Sequence, residues 1–184
     1  MINENILDSN NVYLFFRGTK TKQGYISKEY NLSHKGLSHV GIGVNYGDGF
    51  LIYHIVNSDK INNLEMSSIN SFYNHRKKII YKGIWEIQNI EANELKQILN
   101  EYENKVFNFD ITFTGVDDNK LYCSELVVQI LKDLDSVKFY FTKHKKALKE
   151  IHSTFLKKDT LEYFPADIFL TNKNFMKVYE QFKN

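Results

Sequence analysis

The strictest constraint in this chain is a pair of short segments that alternate in character on either side of a glycine-rich turn. Residues 38–44 read Ser-His-Val-Gly-Ile-Gly-Val, and residues 50–56 form a β-rich run beyond Asn45-Tyr46-Gly47-Asp48-Gly49. Alternation at period two marks a strand with two unlike faces, so the segments predict an antiparallel hairpin. Loop parity then decides which residues meet, because a slip of one residue turns every side chain to the other face. A two-residue turn at Gly47-Asp48 pairs Gly41 with His54 and leaves His39 diagonal to it, at about 7 to 8 Å. A four-residue loop sets the two histidines directly opposite. Even parity, with His39 and His54 on one face, is the expectation. Gly41 and Gly43 share that face and invite the close approach of another element.

The 184 residues suit a single domain spanning 1–184. Apolar residues at 42% and aromatics at 15% supply enough bulk for a core. With 24 basic against 22 acidic residues there is no global field, so nucleic acid is not an expected partner, and neither is an anionic membrane. No stretch reaches the roughly 18 uninterrupted apolar residues of a membrane span, and no stable membrane insertion is expected. Residues 1–11 are polar and acidic and do not read as a secretory signal, which makes the cytoplasm the expected location unless a leader has been removed. The single cysteine excludes an internal disulfide.

Elsewhere the patterns are coarser. Residues 12–16 read as a strand ended by Arg17-Gly18, and residues 19–37, without a clean period, as a long surface loop. A short helix is expected within 67–76 and a strand over 79–87. Leu95, Ile98, Leu99, Tyr102 and Val106 predict an amphipathic helix over 91–106. Asp117-Asp118-Asn119, after the loop containing Gly115, are good N-cap residues, so a helix should begin there. Its apolar stripe runs through Cys123, Leu126, Val127, Ile130, Leu131 and Leu134, with Cys123 in the first turn. Residues 143–156 read as a basic amphipathic helix burying Ala147, Leu148, Ile151 and Phe155. Residues 175–182 fit either a strand or a helix.

The cysteine helix is the one element with a reactive side chain at its amino end, where N–H groups and the helix dipole favour a thiolate. Docked on the glycine-bearing face, it would bring Cys123 to His39 and His54. His39 would then move the proton, His54 would hold its imidazole, and the Cys123 N–H would serve an oxyanion. Two histidines and a cysteine can also bind zinc, but no CxxC or HxxxH spacing supplies a fourth ligand, so neither metal nor other cofactor is expected. Ser38, Tyr122 and Ser124 adjoin these groups in sequence and are candidates to line the cleft and bind substrate. His34, His75, His144 and His152 are expected at the surface, with Asp110 and Asp167 as loop anchors.

The words Ser38-His39-Val40-Gly41-Ile42-Gly43-Val44 and Tyr122-Cys123-Ser124-Glu125-Leu126-Val127, in this order, resemble the circularly permuted branch of the NlpC-type papain-like hydrolases, the YiiX/YebB-like proteins. In the unpermuted amidases the cysteine helix precedes the histidine strands; here it follows them. Leu14-Phe15-Phe16-Arg17-Gly18 also looks like that branch's first strand, without its usual preceding Gly-Asp. The resemblance runs loosely over residues 11–167. It implies an α+β fold in permuted papain-like order, an antiparallel sheet forming a small open barrel against the helix that carries the nucleophile. It implies Cys123 as nucleophile, His39 as base and His54 in a third position that varies in the family. The implied activity is thiol hydrolysis of an amide in a peptide or cell-wall-like substrate. The rival is acyl chemistry on a lipid-derived substrate, since the lecithin retinol acyltransferase type also places its histidines before its cysteine, although its cysteine word carries Glu-His where this chain has Ser124-Glu125. An inactive module binding lipid or peptide is the alternative outside catalysis.

Overall fold

The strand β1 (Val12–Thr19) is buried at every position, which explains why its first five residues form an unbroken apolar and aromatic run instead of an alternation: it lies mid-sheet with both faces covered. The computed structural model describes residues 2, 4–34, 36–73, 78–113, 117 and 119–183. Along the chain β1 is followed by α1 (Lys22–Glu29), β2 (His39–Asn45), β3 (Phe50–Ile55), β4 (Leu64–Ser68), α2 (Ile69–Tyr73), β5 (Ile79–Ile87) and α3 (Ala92–Glu103). Then come the two-residue strands β6 (Asn108–Phe109) and β7 (Lys120–Leu121), α4 (Cys123–Leu134), β8 (His144–Ala147), α5 (Glu150–Leu156), β9 (Thr160–Tyr163) and β10 (Phe175–Phe182). Six strands form one antiparallel sheet in the order β10-β5-β1-β2-β3-β4, giving a mixed α+β fold. Among the described residues no helix is long and apolar enough to cross a membrane.

The hairpin has the expected even parity. Asn45 pairs with Phe50 and Ile42 with Tyr53, and the Tyr46 N–H reaches the Gly49 carbonyl at 3.1 Å, leaving Gly47-Asp48 as the two-residue turn. Gly47, at φ +104°, takes a backbone conformation that a side chain would strain.

The sheet is covered on both sides. On one face Val40, Ile42, Val44 and Tyr53 pack against Leu95 and Leu99 of α3 and against Leu126, Val127 and Ile130 of α4, all buried. Each such side chain contributes roughly 1.5–3 kcal/mol on leaving water. On the other face Tyr13, Phe15, Phe50 and Ile52 pack against Ile69, Phe72 and Tyr73 of α2. The glycine-bearing face therefore receives α2, not the cysteine helix: period two puts Gly41 and Gly43 opposite the Val40 and Ile42 side chains on which α4 rests. Gly43 makes room there for Phe15, whose ring would lie 2.9 Å from an added Cβ.

Several expectations need correction. Residues 19–37 are not all loop: Thr21 caps α1 by accepting from the Gly24 N–H at 3.1 Å. The helix α4 starts at Cys123 itself, because Asp117 accepts from the Asn119 N–H and turns the chain into β7, which pairs in parallel with β6. Gly115, Asp118 and His75 lie outside the described residues. The expected helix over 143–156 divides into β8, paired with β9, and the short α5, on which Ile151 and Phe155 are exposed instead of buried. The helix expected over 91–106 ends at Glu103 and leaves Val106 exposed. Residues 67 and 68 belong to β4 before α2 begins, and residues 175–182 are a strand at the sheet edge.

Candidate active site

β2 pairs with β1 as far as Arg17 opposite His39, but with β3 only as far as Ile42 opposite Tyr53. Where the hairpin opens, the amino end of α4 sits against the start of β2. Tyr122 is the N-cap residue and makes no side-chain cap bond, so the first N–H groups of α4 are not taken by a capping side chain. The backbone N–H groups of Val40, Ser124 and Cys123 itself act on the sulfur of Cys123 and favour its charged form. Val40 follows His39 directly, so sulfur and imidazole belong to the same end of one strand.

Burial is the largest influence on this thiol and pushes it above its ordinary value; the three N–H groups and the Arg17 guanidinium pull against that without reversing it. The expected preference of the helix end for a thiolate is present but is opposed by the larger effect of burial.

His39 and His54 meet. Nε2 of His39 lies 3.1 Å from Nδ1 of His54, and Nε2 of His54 lies 3.0 Å from Oγ of Ser67 on β4. His54 is 1% exposed and His39 half-buried. Gly41 keeps their corridor open, since an added Cβ would stand 3.1 Å from Cβ of His54. Phe72 of α2 walls it, stacked on His39 and edge-on to His54 at centroid distances of 5.8 and 5.1 Å.

Three functional candidates escaped the sequence reading. Ser67 and Phe72 reach the histidines only through the fold. Arg17 left a usable signal, a charged residue in an otherwise apolar strand. It is buried, donates to the Phe72 carbonyl at 2.7 Å and lies 4.6 Å over the Phe72 ring. Burial brings it down to about 10, opposed by the fields of Cys123, Glu65 and Tyr73, and it stays charged at neutral pH.

The expected cleft-lining residues are engaged with the protein. Ser124 donates to the Phe164 carbonyl at 2.6 Å, and the Tyr122 hydroxyl accepts from the Phe164 N–H at 2.8 Å. Both are buried and fasten the segment after β9 to the start of α4. Ser38 Oγ accepts from the Thr19 N–H at 3.3 Å and stays half-buried. Asp167 accepts from the N–H groups of Leu32, Ser33 and His34, and Asp110 from Thr112, so both anchor loops. His34 is not a plain surface residue: it stacks on Phe182 and lies 3.3 Å from Glu180. His152, half-buried, bonds Tyr30, while His144 is exposed.

No family model matches the chain, and no curated protein matches it significantly. Among solved structures, it is similar to the crystal structure of the metalloprotein YiiX from Escherichia coli O157:H7. The TM-score is 0.68 at 14% sequence identity, over 96% of this chain and 100% of that one. At that identity the likeness shows a YiiX-like fold.

Proposed function

We propose that the chain is a thiol hydrolase of the permuted papain-like type, cleaving an amide in a peptide or cell-wall-like substrate through a thioester on Cys123. The observation that carries this reading is the chain of contacts from His39 through His54 to Ser67, at the end of β2 where the Val40 N–H acts on the Cys123 sulfur in the field of Arg17. With Nε2 of His39 donating to Nδ1 of His54, and Nε2 of His54 donating to Ser67, the base on His39 is Nδ1. That arrangement holds unchanged when Nδ1 gains a proton, so His54 and Ser67 orient the ring through the cycle.

His39 acts as a general base during attack. Nδ1 takes the thiol proton as sulfur bonds to the carbonyl carbon, and the oxyanion is stabilised by N–H groups at the start of α4. Collapse expels the amine, which receives that proton from His39. Water, deprotonated by His39, then attacks the thioester and releases the acid and the thiol.

The solved neighbour is called a metalloprotein. Among the described residues, no group of three or more His, Cys, Asp or Glu is placed to hold a metal ion, and both nitrogens of His54 already have protein partners. These residues do not fit a metal site, and no step is routed through one.

The test is pre-steady-state acylation by an activated p-nitrophenyl ester. A burst equal to the enzyme concentration is expected, with the acyl group mapped to Cys123 by mass spectrometry. His39→Ala should slow the burst by about 100-fold or more. A burst indifferent to His39→Ala, or an acyl group on another residue, sinks the proposal. Comparing amine release from peptides with fatty acid release from phospholipids then decides between amide and lipid substrates.

A further inference from the structure

Residues 143–158 hold six lysines and a single acid, Glu150, a net of five positive charges in a chain that carries only two overall. The balanced composition conceals this local excess. The helix α5 within it buries none of its residues, and Ile151 and Phe155 are 74% and 71% exposed. Spaced four apart, the two side chains project from one helix face. Singly exposed apolar residues need no explanation, but an apolar pair framed by lysines on a short surface helix is the pattern of an interfacial helix.

Beside α5 lies a pocket of about 560 Å³ lined by Lys28, Tyr30, Lys146, Lys149 and His152, with Glu29 as its one acid. Lys149 pairs with Glu29 at 3.0 Å and Lys146 donates to the Glu29 carbonyl. The Lys149 and Glu29 side chains are 71% and 49% exposed, so this pair is weak and its lysine can turn to a stronger anion. Two side chains are too little apolar surface for a stable protein interface, which needs roughly 800 Å² per partner. They suffice to anchor a lysine-rich element at a lipid headgroup layer.

We propose that α5 and the adjoining pocket dock the protein on an anionic lipid surface, with Ile151 and Phe155 entering the headgroup boundary and Lys146 and Lys149 meeting lipid phosphates. The docking element is joined to the candidate site through Phe164, which follows β9 and is gripped by Tyr122 and Ser124 at the start of α4. The proposal does not rest on the thiol chemistry and survives if Cys123 is inert.

The experiment is flotation of the full chain with phosphatidylcholine vesicles, with and without phosphatidylglycerol. Binding is expected only with phosphatidylglycerol and should weaken with added salt. Ile151→Ser/Phe155→Ser and, separately, Lys146→Glu/Lys149→Glu should each lower partitioning about tenfold or more, with thermal melting near the parent's, since the replaced side chains are exposed or at the surface. Equal binding to both vesicle types overturns the proposal, as does binding that survives Ile151→Ser/Phe155→Ser. So does failure to bind vesicles, including the case in which sedimentation reveals a self-association abolished by the same double variant.

Discussion

Gly41→Ala places one methyl group in the passage between the two histidines. Its Cβ would stand 2.8 Å from Cγ2 of Ile52, 2.9 Å from the Tyr53 carbonyl oxygen and 3.1 Å from Cβ of His54. Carbon atoms in contact prefer about 3.5–4.0 Å. Ile52 is fully buried and branched at Cβ, and the Tyr53 oxygen is backbone, so relief requires β3 to shift. Overpacking of this kind costs about 1–3 kcal/mol. Positive φ among the described glycines occurs only at Gly47 and Gly49, so alanine is conformationally allowed at 41 and recovers about 0.4–1 kcal/mol by restricting the unfolded chain. The net is a destabilisation of about 1–2 kcal/mol, seen as a Tm fall of about 2–8 °C. A shift of β3 also carries His54 away from β2 and stretches its 3.1 Å bond to His39. Ester acylation should slow by about 10- to 100-fold in the variant at a temperature where it is fully folded. Urea or thermal melts and the burst assay check both halves. A variant as stable as the parent and acylated at the parent rate would refute the reasoning.

Arg17→Gln removes a cation that pulls the thiol down, so the midpoint of Cys123 alkylation by iodoacetamide should move to higher pH than in the parent. An unchanged or lower midpoint would assign Arg17 to packing alone. Burial lifts the Glu125 carboxyl to about 7, and Lys143 at 3.8 Å only partly opposes this. A carboxyl raised on folding stabilises fully below its unfolded value and loses that contribution as pH rises through 7. Glu125→Gln should therefore gain Tm relative to the parent between pH 5 and pH 8, and a pH-independent difference would contradict the assignment.

What could be read from the residues was local. The hairpin register followed from loop parity, and α3 and α4 from apolar stripes that packing confirms at Leu95, Leu99, Leu126 and Ile130. The helix α1 was invisible because it has no apolar stripe and is announced only by its Thr21 cap. In 143–156 the spacing of Ala147, Leu148, Ile151 and Phe155 mimicked a buried helical face, but β8 takes the first part of the segment into a pairing with β9 that no local signal encodes. The choice of face was likewise non-local: period two grouped Gly41, Gly43 and the histidines correctly but could not say that α2 would cover them while α4 took the other side. Phe72 and Ser67 entered the candidate site for the same reason, as residues whose neighbours are set by strand order.

The early end of the pairing between β2 and β3 has a cost and a use. One more rung would occupy the Val40 amide, whose field now favours the charged form of the sulfur. Substitutions that zip the hairpin further toward His39 would thus make a firmer molecule with a deprived nucleophile, so selection for heat resistance alone should drift away from reactivity.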